Sequence, residues 1–581
     1  MATEDLVTEQ FQFLGIEVQN EVLRKCVTLC DTYNVDPETL VEQWMAFSLT
    51  HLNGAPPSIE YLEKLEKREF SKVISSKTHS DETYSSTGAS LAVYRAPDSA
   101  PDNDVLSNYM TTPKVFISLY FLYIDYFYPG LKVFIESICG DPSTKYASRS
   151  NQGSVVHSYG SDDLLQIFGK PNEVNLMEPN IVQVPNDDGE LFTKAMFGFE
   201  LLHEKASIYE SHIRFVSQCI MKKNSIAETR SVREKTQNEV YVSGRIECDA
   251  EARLNAKCVV LQGTWEESLS QCVPLDLDSL KQYTLFPGQV VVVRGVNPRG
   301  DRFIAHQVYC DGSRPIPDPK DDMMNTLEGT LSMVIAAGPY TTSNNLSYEP
   351  LKDFISYINT HKPHAVLMTG PFLDCEHVKV KEHTMASTFK TFFEKLIDRL
   401  GDMCNTSPHT KVYIVSSSRD AFHNNIYPTC PYSVRKKHPN IKFVPDPSTL
   451  NINGCYITTT STDVLMRLSQ EEIAFGMGGD KLSRLSGHLL SQQSLHPLCG
   501  AGAGATSLAV DATLWSSHGM LPATPHVLVL PSNFRYFVKQ VNGCVVVNPE
   551  RLTKGVSGGT FARLLVSCGD KLDIAAQIVR I

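Results

Sequence analysis

Four short apolar runs in the C-terminal half constrain this chain more than any other feature: Leu331-Ser332-Met333-Val334-Ile335, His364-Ala365-Val366-Leu367-Met368, Val412-Tyr413-Ile414-Val415 and Cys544-Val545-Val546-Val547. Runs of this length, rich in β-branched residues and lacking polar alternation, are strands of the buried type. Each ends in a loop signal: Ala336-Ala337-Gly338-Pro339-Tyr340, Gly370-Pro371-Phe372-Leu373-Asp374, Ser416-Ser417-Ser418-Arg419-Asp420 and Asn548-Pro549-Glu550-Arg551-Leu552.

Strand then loop, four times over, is the layout in which a metal-dependent phosphoesterase places its ligands. A two-metal centre needs clustered Asp, Asn and His donors around ions roughly 3.5–4 Å apart. Active enzymes of that kind carry Asp-x-His in the first loop, where Gly338, Pro339 and Tyr340 stand here. They carry Gly-Asn-His-Asp or Glu in the third, where Arg419 and Asp420 stand, and Gly-His-x-His in the last, where Asn548 and Arg551 stand with no His between. Asp374, after Gly370 in the second loop, and Asp420 are the strongest survivors. A lone loop Asp more often caps a helix or accepts from backbone N–H groups. The 17 histidines do not repair the site: His361 and His364 precede the second strand, and His377 and His383 lie in a polar segment that reads as solvated surface. No Gly-x-Ser-x-Gly elbow or Walker A sequence occurs. No catalytic residue, metal or cofactor is therefore expected, and the competing enzyme reading is a phosphodiesterase with atypical ligands.

At 581 residues the chain is too long for one core, and 42% hydrophobic residues suit several globular units. A net charge of -12 excludes a chain that wraps nucleic acid by charge alone. Fifteen cysteines occur without a Cys-x-x-Cys pair; Cys26 and Cys30 lie four apart on an expected helix and read as buried core thiols. Scattered free thiols fit a reducing compartment. The acidic start, Met1-Ala2-Thr3-Glu4-Asp5, carries no secretory signal.

Residues 1–74 read as a small helical unit: Leu23, Cys26, Val27 and Cys30 recur at helical spacing, Asp36-Pro37 is a helix start, and Leu40, Val41, Trp44, Met45 and Phe47 form the next apolar face. Ser58 is placed to cap a further helix carrying Ile59, Leu62 and Leu65. Residues 75–160 have the composition of a flexible linker. Within it, residues 115–138 are strongly apolar, but Asp125, Pro129, Lys132 and Glu136 interrupt a stretch that would need about 20 apolar residues to span a membrane. Such a run is out of place in a polar tether, and if present in the mature protein it is an aggregation liability or a partner-binding strand. Thr112-Pro113 in the same tether is a candidate phosphorylation site for proline-directed kinases.

Between Val240 and Asp311 short strands are expected at 240–246, 258–261, 289–295 and 303–305, with Pro287-Gly288 a turn and 297–301 a hairpin loop. Strands so closely spaced suggest a small barrel. Tyr241, Trp265, Tyr283, Phe286 and Phe303 are its aromatics, but they are not interleaved with a basic series, and Glu266-Glu267 follow Trp265. Base stacking in a basic groove is thus the weaker reading, and barrel core the stronger. Gly500-Ala501-Gly502-Ala503-Gly504 lacks the strand and Lys-Ser/Thr of a phosphate loop and reads as surface. Gly558-Gly559 is expected to give a turn at positive φ ahead of a final strand through Phe561, Leu564 and Leu565.

Several longer stretches resemble the B-subunit family of the DNA polymerase alpha–primase complex. They are Tyr283-Thr284-Leu285-Phe286-Pro287-Gly288-Gln289-Val290-Val291, Gly338-Pro339-Tyr340-Thr341-Thr342-Ser343, Gly370-Pro371-Phe372-Leu373-Asp374, Phe534-Arg535-Tyr536-Phe537-Val538-Lys539, and the stretch from Asn548 through Gly558-Gly559-Thr560-Phe561-Ala562-Arg563. The resemblance implies a multidomain α+β chain. Its parts would be an N-terminal helical protein-interaction domain (1–74), a flexible linker (75–160), an OB-fold β-barrel domain with its preceding segment (161–315) and an inactivated calcineurin-like phosphoesterase α/β sandwich (316–581). Since Thr111-Thr112-Pro113 and Ser143-Thr144-Lys145-Tyr146 match a family-like linker whose interior is polar, the resemblance implies that the apolar run 115–138 is foreign to the mature protein, such as a translated intron; transcript sequencing across the junction tests this. It also implies a non-catalytic nuclear scaffold that binds the C-terminal domain of the polymerase alpha catalytic subunit. Primase subunits would join through the complex and replisome proteins through the N-terminal domain, with DNA contact weak or indirect. The B subunit of another replicative polymerase is the alternative within this class. Zinc chemistry, on this reading, belongs to the catalytic partner.

Overall fold

The computed structural model describes residues 20–33, 57–66, 144–168, 181–186, 189–194, 196–250, 253–317, 330–383, 387–404, 407–452, 454–498, 508–568 and 572–581, with isolated positions 7, 8, 11, 18, 40, 41, 44 and 385. The apolar run 115–138, Thr112, Met45, Phe47 and the glycines of 500–504 lie outside the described residues. The chain divides into two compact units, Met1–Gly140 and Asp141–Ile581.

In the first unit, helix α1 (Asn20–Tyr33) buries Val22, Leu23, Cys26, Leu29 and Cys30 on one face. Burial, with Cys30 close by, pushes the Cys26 thiol up to about 12, the state of an inert core residue. Helix α2 (Ile59–Leu65) is capped by Ser58, whose hydroxyl oxygen accepts from the Tyr61 N–H at 3.4 Å, and it buries Leu62 and Leu65. Lys25 and Glu66 join the two helices at 2.8 Å.

Ahead of its barrel the second unit carries β1 (Val155–Tyr159), β2 (Ile181–Gln183) and the long helix α3 (Leu202–Lys223). A closed barrel follows, built from β3 (Thr236–Cys248), β4 (Val259–Gly263), β5 (Cys272–Asp276), β7 (Val290–Asn297) and β8 (Phe303–Tyr309), with β6 (Tyr283–Leu285) outside it. The parallel pair β5–β8 closes the ring through Leu275 and Phe303. Val242, Ile246, Leu261, Val273, Val291, Val293 and Phe303 fill the interior. Val290 and Val292, facing the other way on β7, are buried under Ile213, Val216 and Ile220 of α3. That second cover explains why residues 290–293 show no polar alternation. Gly295 sits at a register shift between β7 and β8, where a Cβ would stand 2.0 Å from the Ile304 carbonyl oxygen.

The rest is two packed sheets. Strands β9 (Thr330–Ala337), β10 (Ala365–Thr369), β11 (Lys411–Val415) and β12 (Ile441–Val444) run parallel. The antiparallel strands β21 (Thr560–Cys568) and β22 (Leu572–Arg580), then β1, complete a seven-stranded sheet in the order β1-β22-β21-β9-β10-β11-β12. The second sheet runs β17 (Phe537–Val541), β18 (Cys544–Asn548), β16 (Val527–Val529), β14 (Cys455–Thr459), β13 (Ser448–Ile452), β2. Met333, Ile335, Leu367 and Val415 meet Leu450, Ile457, Val529 and Val547 between the sheets. On the outer face, Val334, Val366, Met368 and Val412 are covered by Phe354, Ile355 and Ile358 of α4 (Glu349–His361) and Phe393 and Ile397 of α5 (Phe389–Cys404). All four apolar runs are strands, and the three from the seven-stranded sheet are buried on both faces for this reason. Three further helices are α6 (Val464–Glu471), α7 (Lys481–Ser491) and α8 (Ala512–His518), and four-residue helical turns lie at Thr144–Ala147, Asp162–Leu165, Trp265–Ser268 and Val378–Lys381; β15 (Ile473–Phe475) pairs with β6, and β19 (Thr553–Lys554) with β20 (Ser557–Gly558).

Three local expectations change. Residues 155–159, inside the span whose composition suits a tether, form β1 on the edge of the seven-stranded sheet against β22. Its polar His157 and Ser158 are tolerated because an edge strand needs only partial burial. Positive φ occurs at Gly555, φ 57, and not at Gly558 or Gly559; Gly559 is instead required by close approach, since a Cβ there would stand 2.0 Å from the Arg551 carbonyl oxygen. Nor is the strand through Phe561, Leu564 and Leu565 the last, since β22 follows it and pairs along its length.

Candidate functional site

The loops after β9, β10, β11 and β18 meet beside the ends of their strands, and every residue singled out in them takes part in one connected network. Gly338 donates its N–H to the Thr369 carbonyl at 2.9 Å, and a Cβ on it would lie 2.0 Å from the Pro371 carbonyl oxygen. Pro339 accepts through its carbonyl from the Thr553 hydroxyl at 2.8 Å. Tyr340 is wholly buried, its ring stacked on Phe372 with centroids 4.6 Å apart and its hydroxyl reaching the Ala336 and Thr369 carbonyls at 3.0 and 2.9 Å. Gly370 leaves room for its neighbours: a Cβ would fall 2.6 Å from Ser417 Cβ and 2.8 Å from Asp420 Oδ2.

Asp420 is at the centre of the packed part. Its Oδ1 accepts from the N–H groups of Phe372 and Leu373 at 2.7 and 2.6 Å, and its Oδ2 accepts from the Tyr432 hydroxyl. Three of about four lone-pair directions on the carboxylate are thus engaged from within. Burial pushes its pKa up to about 7, against the pull of those hydrogen bonds. Asp374 pairs with Arg419, Nη2 to Oδ2 at 2.6 Å, and an isolated bridge joins residues 374 and 420 so that the second and third loops are stitched by backbone as well. Asn548 uses its whole side chain on backbone: Oδ1 accepts from Ser532 and Glu550 at 3.0 and 2.8 Å, and Nδ2 donates to Phe534 and Arg535 at 3.1 and 3.2 Å. Arg551, buried, reaches Asn533 Oδ1 at 3.2 Å, the Gly338 carbonyl at 3.5 Å and Asp463 at 3.6 Å. Burial pulls its pKa down, while Asp463 opposes that shift.

The residues missed by sequence reading are Asp463, Arg467, Asp446 and Tyr432. Asp463 caps α6 by accepting from the Met466 N–H at 3.1 Å, and it also accepts from the Ser532 hydroxyl and the Asn533 N–H, both at 2.7 Å. An Asp just ahead of Val464-Leu465 is a legible cap signal, but its second set of partners comes from 69 and 70 residues downstream. Asp446 is fully buried and accepts from Thr460, Ser461 and Thr462. Nothing local marks Tyr432, which acts only through the fold. Among the described residues, no three His, Cys, Asp or Glu side chains converge in a way that suits a metal ion. Neither His377 nor His383 enters the cluster's core: His383 is exposed as its polar segment suggests, but His377 is buried rather than solvated, because its ring bonds the Thr342 and Asn345 carbonyls at 3.1 Å. The arrangement fixes loops to one another and presents guanidinium groups, and its central carboxylates are occupied by partners from within the fold.

The barrel aromatics divide. Phe303 is in the interior, and Phe286 is buried against His488 with centroids 5.0 Å apart. Tyr241 packs beneath α3, and Tyr283 stacks on Phe475 at 5.8 Å. Trp265 is 60% exposed, beside Glu266, which pairs with Arg214 at 2.7 Å.

Comparison with known proteins covers the whole chain. Residues 4–72 match the family model for the N-terminal region of the DNA polymerase alpha B subunit, residues 206–311 that for the OB domain of the same B subunit, and residues 333–539 that for the DNA polymerase alpha/epsilon B subunit. The chain is 31% identical to the DNA polymerase alpha B subunit of Mus musculus over the full length of both, and 31% identical to that of Drosophila melanogaster over 97% of this chain and 96% of the relative. The Schizosaccharomyces pombe protein of that name is 28% identical over 76% of this chain and 81% of its own.

Proposed function

Since the chain belongs to the family of DNA polymerase alpha B subunits, we propose that it is a non-catalytic accessory and scaffold protein in DNA replication. It would bind the catalytic subunit's C-terminal domain and support RNA–DNA primer synthesis by the polymerase alpha–primase complex in the nucleus. The observation that carries the non-catalytic part is the internal use of Asp420 and Asn548, whose oxygens accept from backbone N–H groups where an enzyme would aim them at metal. On this reading Gly338, Pro339, Tyr340, Gly370, Asp374, Arg419, Asp420, Asn548 and Arg551 are the remains of an active site converted to structure. Rigid, pre-formed faces of this kind bind partners without the entropic cost of ordering themselves.

The proposed domain division is 1–74 for partner docking, 75–160 as linker with the apolar run 115–138 foreign to it, 161–315 for the barrel and its preceding segment, and 316–581 for the degenerate phosphoesterase-like part. Acidic neighbours beside exposed Trp265 favour a protein-binding barrel surface over a nucleic-acid one. Thr112 is proposed as a phosphorylation site, to be dropped if phosphopeptide mapping in dividing cells finds none. Affinity purification of the tagged chain from dividing cells tests the main reading. Recovery of the polymerase alpha catalytic subunit and both primase subunits in near-equal amounts is expected. Their absence, or stoichiometric metal with phosphodiester turnover in the pure protein, would overturn it.

A further inference from the structure

Three arginines dominate the loop cluster. Arg419 follows β11, Arg467 lies on α6, and Arg551 follows β18. Arg551 is within electrostatic reach of Arg419, Asp374 and Asp463, and Arg467 within reach of Arg419 and Asp463, so the three guanidinium groups share one region. Two carboxylates, Asp374 and Asp463, stand among these three positive charges; Glu376, also within reach of Arg419, is paired with Lys381, and Asp420 is buried behind Phe372 and Leu373. Asp374 is taken by Arg419 at 2.6 Å. Asp463 is taken by two N–H groups and a hydroxyl, with Arg551 at 3.6 Å.

Arg467 is left over. Its Nη1 is buried and has no hydrogen-bond partner among the described residues. A buried guanidinium N–H with no acceptor is costly, and buried donors are nearly always satisfied. His496, within electrostatic reach of Arg467, is wholly buried with both ring nitrogens also unpartnered among the described residues. What this arrangement lacks is an acceptor-rich group with negative charge. The region is not sealed, since the Arg419 side chain is 42% exposed.

We propose that the loop cluster is a binding site for a phosphate group, held by Arg467 with Arg419 and Arg551. Tetrahedral oxyanions match the planar fork of arginine and accept several charge-assisted hydrogen bonds at once. Phosphate would thus be held by guanidinium groups in the region where an active phosphoesterase contacts it through metal ions. The site goes beyond the scaffold reading and stands or falls separately from it. The phosphate has two sources of the same chemistry: the free anion, or the terminal 5′-phosphate of a nucleic-acid strand.

The test is calorimetric titration of the full chain at an ionic strength of about 10 mM, where the Debye length is about 30 Å. Inorganic phosphate is one ligand; a 5′-phosphorylated single-stranded oligonucleotide and its unphosphorylated twin are the others. Saturable one-to-one phosphate binding is expected. Arg467→Met should weaken it about tenfold or more, the loss typical of a hydrogen bond to a charged group. Arg435→Ala, 85% exposed, should bind as the parent does. Tighter binding of the phosphorylated strand than of its twin, lost in Arg467→Met, assigns the nucleic-acid end; phosphate binding with equal affinities for the two strands assigns the free anion. Should Arg467→Met fail to fold by circular dichroism, Arg419→Gln, which alters a half-exposed side chain, decides in its place. No saturable binding of phosphate, or unchanged affinity in the variant that decides, overturns the proposal.

Discussion

Asp420 is a carboxyl group used wholly within the fold. Its folded pKa of about 7 lies above the ordinary aspartate value of about 3.9. The neutral acid therefore suits the folded state better than the carboxylate does. Its stabilising contribution is full below about pH 4 and is lost as pH rises from there through about 7. Asp420→Asn, which holds the group neutral, should flatten the dependence of melting temperature on pH between about 4 and 7 relative to the parent. Calorimetric scans across that range check it, and parallel curves would refute the assignment. Tyr432→Phe removes the donor to Asp420 Oδ2 and the acceptor of the Ser417 N–H at 2.8 Å. With two buried partners orphaned, a loss on the order of 2 kcal/mol or more is expected from the shift of the denaturant midpoint.

Between elements, the joint of barrel and sandwich depends on a few long side chains. Gln492, directly after α7, accepts from the Val290 N–H at 2.7 Å and donates to the Val290 carbonyl at 3.0 Å, standing in for a neighbouring strand on β7. Glu472, after α6, accepts from Arg484 at 2.8 and 3.0 Å, from His488 at 3.0 Å and from Thr284 of β6 at 2.6 Å. Burial alone would raise its pKa, but the bonds from His488, Arg484 and Thr284 win and hold it well below the usual carboxylate range. A depressed carboxylate stabilises above its unfolded pKa of about 4.3 and loses that contribution as pH falls further. Glu472→Ala takes from Arg484 and the buried His488 the carboxylate they share, a change of about 3–5 kcal/mol as for broken buried pairs. Hydrogen exchange should speed first in β6 and β15, whose pairing this carboxylate braces. Uniform protection in the variant would show that the two-stranded pair holds without it.

The unit Asp141–Ile581 is closed by β22. β22 lies between β1 and β21, so residues from near 155 and near 580 share a sheet. Arg149 ties the same region down, with Nε donating to the Ile581 carbonyl at 3.0 Å. A chain ending at residue 571 would lose the buried side chains of Ala575, Ala576, Ile578, Val579 and Ile581 and expose two unpaired edges. Such a chain is expected to be insoluble or to melt without a cooperative transition. A chain of residues 141–581 should fold and melt cooperatively by itself, since it contains one complete compact unit. Expression of both, with thermal scans, compares the two outcomes directly.

Local chemistry was enough to read the four buried strands, the loops at their ends, the barrel strands other than β5, and the Ser58 cap, because periodicity and turn residues act over a few neighbours. β5 escaped because Cys272-Val273-Pro274-Leu275-Asp276 is short and holds a proline, a residue admitted there by edge-like pairing within the barrel. β1 and β2 escaped for a different reason: each is an edge strand whose partner lies hundreds of residues away. The sequence alone determined which donors the loops lack. Only the tertiary structure decided what the remaining ones do. Asp420 meets Tyr432, Asp463 meets Arg551, and Arg467 Nη1 is left without an acceptor among the described residues, all through placements that no local pattern encodes.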